Sequence, residues 1–373
     1  MAAPNSTPTP SRLLHVEAMQ TVTPGRMAEA GQSRRISVAS PLRPEILQSR
    51  LRIILYYKKA GEEESASAAV VAAWIKETLS AAIADEPLLA GRLRRDDEGD
   101  GCWEIKFNDS GVRLVQASAE MTMSEFLGST ERDSREGQLA YWVDVDKENP
   151  QYSALFYIQV TQFQGDGYSI GISCSLFLAD PLFLARFLKS WAQTHTQMLA
   201  QGQLSTNPIF HLGYFQRPGR PNRIKSTPLD SIPVSPASTT TMLFKVGRAR
   251  DQGSPSCNEL AILCLKEATQ RMEGKDISNF TLIINDHAGD LKVESCSTKG
   301  STQLSKPFNG AISVVWWDEL GIEEMAFNQG NLPIHVSYRV VSCADEGHVM
   351  VMLPSDEEDS SDLMISAIIP KKI

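Results

Sequence analysis

Residues 169–191 read SIGISCSLFLADPLFLARFLKSW. The first ten mix β-branched, aromatic and small side chains, the composition of a buried strand running from 169 to 178. Asp180 and Pro181 then supply a helix start, a short carboxylate to cap and a proline that needs no amide donor. Leu184, Phe187, Leu188 and Trp191 recur at helical spacing, so the helix has one apolar face. A strand-to-helix junction holds a side chain rigidly over a cleft, which makes this the first place to look for chemistry. On a strand, Cys174 and Leu176 share a face and Ser175 points the other way.

Outward from this junction the chain alternates strands and helices. Residues 154–163 (ALFYIQVTQF) and 168–178 read as two strands joined by Gln164-Gly165-Asp166-Gly167, which has hairpin chemistry. Upstream, residues 13–22 and 51–57 (LRIILYY) read as strands. Residues 65–84 carry Val70, Val71, Trp74, Ile75 and Leu79 at helical intervals and read as a long amphipathic helix. Residues 103–107 and 112–115 alternate across Asp109-Ser110-Gly111 and predict a hairpin. Residues 201–238 hold six prolines and little periodicity, as a linker does. Beyond it, 240–246, 280–285, 311–317 and 363–369 read as strands. A helix capped by Ser254-Pro255-Ser256 places Leu260, Leu263, Cys264 and Ala268 on one face. Residues 336–341 and 348–353 predict a pair across 344–347, and the acidic run 356–362 a solvated loop. The element order predicts an α/β (α+β) fold with mixed sheets. The organisation expected is a disordered lead at 1–12, one domain at 13–200, the linker at 201–238 and a second, shortened domain at 239–373.

Composition narrows the function. With 373 residues, a net charge of −9 and no basic patch with interleaved aromatics, a nucleic-acid surface is not expected. No apolar run approaches the roughly 20 residues that cross a bilayer, and no apolar signal core stands near the start. The Ala/Ser/Thr/Pro-rich first 40 residues fit a lead and a first strand better than an organellar transit peptide. Six cysteines are scattered without a CxxC pair or neighbouring histidines, which points to free thiols and no metal site.

The junction resembles that of the plant BAHD acyltransferases, whose signature is His-x-x-x-Asp-Gly. Asp180 matches the aspartate, and the helix after it is similar. PLLAGRL at 87–93, NDSGV at 108–112 and the strand pair around IQVTQF also resemble the family. The resemblance implies two similar mixed-sheet domains of the CoA-dependent acyltransferase type, joined by a crossover. Four residues before Asp180, where the family has its histidine, stands Leu176, and Pro181 replaces the glycine. The family's second signature, Asp-Phe-Gly-Trp-Gly, corresponds to Ala326-Phe327-Asn328-Gln329-Gly330, where only the Phe and the last Gly survive; CoA binding is therefore in doubt. The segments 243–254 and 280–317 are shorter than the family's usual length.

In that family the histidine takes a proton from an alcohol or amine as it attacks an acyl-CoA thioester, work that needs a group titrating near neutral pH. Leucine has no lone pair. Cys174 is the best-placed neighbour, but a buried thiol without a basic partner is inert. His195 and His211 are not brought near by their spacing, and His287 follows a strand that could face a channel. Asp180 reads as mainly structural. Loss of the base resembles the ECERIFERUM and glossy-type members, which implies a catalytically dead accessory factor in very-long-chain fatty acid elongation for cuticular wax. It would be a monomer in the cytoplasm or at the cytosolic face of the endoplasmic reticulum, working with a condensing enzyme. Acyl-CoA would be a substrate or ligand, with no other cofactor. Two alternatives stay open: an active acyl-CoA-dependent O- or N-acyltransferase, and a lyase-type reaction in the same cleft.

Overall fold

The computed structural model describes residues 14–39, 43–59, 68–95, 102–204, 239–247, 255–285, 289–299, 310–327, 330–342, 346–352 and 362–370. The lead, residues 205–238, His211, His287 and 353–361 lie outside them. In chain order the first part gives β1 (Leu14–Val22), β2 (Ser33–Val38), β3 (Arg50–Lys58), α1 (Ala68–Asp85), β4 (Arg92–Arg95), β5 (Trp103–Lys106) and β6 (Val112–Ala119). Then come α2 (Met123–Gly128), α3 (Arg132–Arg135), β7 (Phe156–Gln162), β8 (Gly167–Ser175) and α4 (Pro181–Ala200). The second part gives β9 (Thr239–Val246), α5 (Cys257–Arg271), β10 (Asn279–Asn285), β11 (Leu291–Ser297), β12 (Ile312–Val315), β13 (His335–Val341), β14 (Gly347–Met352) and β15 (Leu363–Pro370).

Two mixed sheets organise these strands. One has six strands in the order β1-β6-β7-β8-β3-β13, and the other nine in the order β12-β9-β15-β14-β10-β11-β2-β5-β4. The α/β architecture expected from the element order is the one found. The hairpin at 154–178 forms, with β7 and β8 antiparallel from Phe156↔Cys174 to Gln162↔Tyr168. Every residue of β8 is buried because both faces of the sheet are covered. One face meets α1 and α4 through Leu51, Ile53, Ile170, Ile172 and Cys174 in a core that continues into Ile283 and Met350 of the larger sheet. The other face meets the 123–140 segment through Ile54 and Tyr56. At Gly171 an added Cβ would lie 1.8 Å from the carbonyl oxygen of Leu139, so only a glycine lets that segment lie on the strand.

Two expected hairpins are corrected. Residues 103–107 and 112–115 do not pair with each other: β5 pairs with β2 and β4 in the larger sheet, while β6 pairs with β1 and β7 in the smaller. Asp109 and Gly111 both take positive φ, 51° and 78°, and carry the chain from one sheet to the other. Likewise 336–341 and 348–353 part company, with β13 antiparallel to β3 and β14 between β10 and β15. Sequence alternation reports that a strand is half-buried and is silent about its partner. Strands β2 and β11 had no counterpart in the reading of the sequence, and β8 ends at Ser175, three residues earlier than expected.

Arg92 explains why AGRL and NDSG belong together. It is buried, and it donates to the carbonyl oxygens of Gly91 and Gly111 at 2.9 Å each and of Ser110 at 3.0 Å. The chain's crossing point at 109–111 is thereby pinned to the start of β4. Gly111 has no room for a side chain, since a Cβ would sit 2.4 Å from the carbonyl oxygen of Val22. Gly111→Ala is expected to lower the unfolding free energy by ~2–4 kcal/mol, combining left-handed strain with the clash. Urea denaturation with an unchanged m-value would register it, and a loss under half a kcal/mol would contradict the crossing geometry.

Candidate functional site

The β8–α4 junction is built from short-range hydrogen bonds. The amide of Leu176 donates to Ser49 O at 3.1 Å, extending the ladder one residue beyond β8. Ser175 closes the turn: its carbonyl accepts from Leu178 N at 3.0 Å and Ala179 N at 3.2 Å, and its Oγ from Phe177 N at 3.3 Å. Asp180 is the N-cap of α4, with Oδ1 accepting from Phe183 N at 2.8 Å, and Pro181 takes the first helical position. Leu184, Phe187, Leu188 and Trp191 are all buried, as their spacing predicts.

Leu176 lies in the turn, 3% exposed, in the same apolar cluster as Cys174 and Leu184. Cys174 is fully buried, and burial, with the charge of Asp180 adding to it, pushes its thiol well above the ordinary range. It stays protonated at neutral pH and offers no thiolate.

The second carboxylate oxygen of Asp180 faces the other sheet. Asn285, at the end of β10, brings its Nδ2 within 3.5 Å of it. Arg34, on β2, donates to Asn285 Oδ1 and to Gly289 O at 2.6 Å each. The same guanidinium reaches Leu178 O at 3.2 Å and Phe177 O at 3.4 Å, inside the turn. Arg34 is only 8% exposed. Neither Arg34 nor Asn285 was a candidate in the sequence. The alternation of Arg34, Ile36 and Val38 could have flagged β2, but nothing local says which carbonyls an arginine will find.

These observations place the junction beside known proteins. Residues 46–283 match the Transferase family. The chain belongs to this family, the BAHD acyltransferases. Among curated relatives it is 33% identical over 119 residues to Protein ECERIFERUM 26-like of Arabidopsis thaliana, a match covering 32% of this chain and 27% of that protein. Protein ECERIFERUM 2 of the same plant is 29% identical over 43% of this chain and 39% of its own length. The shikimate O-hydroxycinnamoyltransferase of Nicotiana tabacum is 29% identical over 47% and 41%. The chain thus spans well under half the length of these relatives. The solved structure of vinorine synthase aligns over 96% of this chain and 95% of that one, at 13% identity and a TM-score of 0.48.

The segment matching the family's second signature is split between packing and surface. Phe327 is fully buried, its ring 4.7 Å from that of Trp191 and 5.2 Å from His195. Tyr168 Oη donates to Phe327 O at 3.2 Å, and Tyr57 Oη to Met325 O at 3.0 Å. Gly330 takes a positive φ of 79°, and Asn328 and Gln329 lie outside the described residues. The contact at Trp191 is roughly 16 Å along α4 from Asp180, so the two signatures do not meet there. Ala326 borders an open groove of about 340 Å³ between the outer face of α4 and residues 321–326, lined by Lys189, Gln193, Thr196, Glu324 and Met325. That groove begins at Lys189, more than two turns from Asp180.

The described histidines do not supply a base at the junction. His195 faces α1, with Nδ1 3.2 Å from Thr78 Oγ1, and burial pushes it down to about 4. His348 in β14 lies 2.6 Å from Ser342 Oγ; burial, and secondarily Arg43, brings it also to about 4. His335 points to the opposite sheet face, opposite Tyr56 in register. Among the described residues no three His, Cys, Asp or Glu side chains gather as a metal site.

The two buried imidazoles carry a pH signature. Between pH ~6.5 and about 4 the unfolded chain binds protons that the folded chain refuses, so stability is full above this window and falls as pH drops through it. His195→Leu leaves Thr78 bonded to Trp191 and Trp74. It is expected to reduce the slope of unfolding free energy across the window by ~1.4 kcal/mol per pH unit. Urea titrations at several pH values measure this, and an unchanged slope would show that His195 does not stay neutral.

Proposed function

We propose that this BAHD member does not transfer acyl groups and acts as an accessory factor in very-long-chain fatty acid elongation for cuticular wax. In this reading it keeps the two-sheet acyltransferase scaffold and works beside a condensing enzyme at the cytosolic face of the endoplasmic reticulum. The observation that carries the proposal is Leu176, an aliphatic side chain only 3% exposed, which the resemblance of the sequence aligns with the family's histidine. Cys174, the nearest thiol, is held protonated. Asp180 is committed to capping α4. The similarity to two ECERIFERUM proteins of Arabidopsis thaliana agrees with the subgroup that the sequence resembles. No helix among the described residues is long and apolar enough to cross a membrane.

General-base assistance contributes about 10²–10⁴-fold, so its loss should be severe. Purified full-length protein, given long-chain acyl-CoA with alcohol or amine acceptors, is expected to form no ester or amide above the uncatalysed rate. Calorimetry with the same acyl-CoA and with free CoA is expected to show binding without turnover. Steady multiple turnover would overturn the proposal, and loss of that turnover in His287→Ala would name the base. Absence of acyl-CoA binding would remove the ligand from this reading and leave a partner-docking role.

A further inference from the structure

We propose that the face of the smaller sheet away from α4 holds a small oxyanion, a phosphate or carboxylate group carried by a small molecule, between Arg52 and Arg339. The two arginines stand directly opposite each other in the β3–β13 ladder, on one face. Like charges so placed repel unless something neutralises them. No hydrogen bond or ion pair joins either to another described residue, and the Nη2 of Arg52 is buried without a partner. Arg52 is 9% exposed. Burial, and then the charge of Arg339, pull it down to about 10, a sign of a cation lacking its counter-charge.

The surroundings add positive charge. Arg50, next but one on the same strand face, lies 5.0 Å over the Trp142 ring, and Arg132 reaches His335 at the far end of the patch. The carboxylate within the patch, Glu136, is 3% exposed and already occupied. Its Oε1 accepts from Tyr56 Oη at 3.0 Å and Arg132 Nη2 at 3.3 Å, and its Oε2 from Ser337 Oγ at 2.6 Å. Asp144 answers Arg50, and Glu323 acts on His335 at the rim. Gly137 roofs the site: a Cβ there would lie 2.9 Å from Arg52 Nη1. Arg132 is 25% exposed and Arg339 is half-buried, so the patch opens to solvent on that side. Two guanidinium forks without acceptors, one of them in a low-dielectric wall, match the lone pairs of an oxyanion.

The test titrates full-length protein in chloride buffer with inorganic phosphate and, separately, with succinate, read by calorimetry and by thermal melting. Saturable binding of at least one is expected at millimolar affinity or tighter, with a raised melting temperature; the stronger of the two identifies the group. Arg339→Gln, at a half-exposed edge position, should still fold and should weaken binding about tenfold or more. Arg52→Met should abolish it. Lys189→Gln, on the α4 groove, should change nothing. No saturation by roughly 50 mM of either anion would overturn the proposal. So would equal affinity in wild type and Arg339→Gln.

Discussion

A single buried guanidinium holds the two sheets in register at the place that matters. Desolvating an arginine costs several kcal/mol unless its donors end on acceptors. Arg34 meets that condition with acceptors drawn from three separate segments: the 177–178 carbonyls, Asn285 and Gly289. Moving any one of them loosens a hydrogen bond of a buried cation. The position of Asp180 is therefore set twice, by its own helix cap and by the second sheet through Asn285. A mobile hinge at this point would expose the cation, so the junction behaves as a fixed corner of the molecule.

What could be read in the sequence follows from how local each signal is. The cap at Asp180, the apolar stripe of α4, the β7–β8 hairpin and the helix cap within 254–256, which falls at Ser256, are all decided within a few residues, and all are found. The 103–115 and 336–353 hairpins fail for the opposite reason. Their turns look right, but positive φ at Asp109 and Gly111 and the pull of distant partners send each strand to a different sheet. Arg34 was illegible because its acceptors lie up to 255 residues away. The buried setting of Leu176 was legible from its apolar neighbours, while the contacts around it were not.

The exchange of strands gives the C-terminal segment a role beyond its own sheet. Phe327 packs against Trp191 and Tyr57, and β13 then adds to the edge of the smaller sheet. The two hydroxyls that bond Met325 and Phe327 belong to stacked tyrosines, Tyr57 and Tyr168, on β3 and β8. The loop that in the resemblance shapes the CoA side is thus retained in its packing half. Removing the fully buried ring of Phe327 would cost about 3–5 kcal/mol.

The environment of Leu176 bears on what a histidine at that position would meet. An imidazole at 176 would enter the apolar cluster that includes Cys174, Phe177 and Leu184. Asp180 is already spent on Phe183 and Asn285. The fate of such a group is visible elsewhere in this chain: His195, enclosed by rings and bonded at one nitrogen, sits near a pKa of about 4. A histidine placed at 176 would meet the same kind of burial, which disfavours the charged ring. Leu176, among Cys174, Phe177 and Leu184, thus has the setting of a packed core side chain.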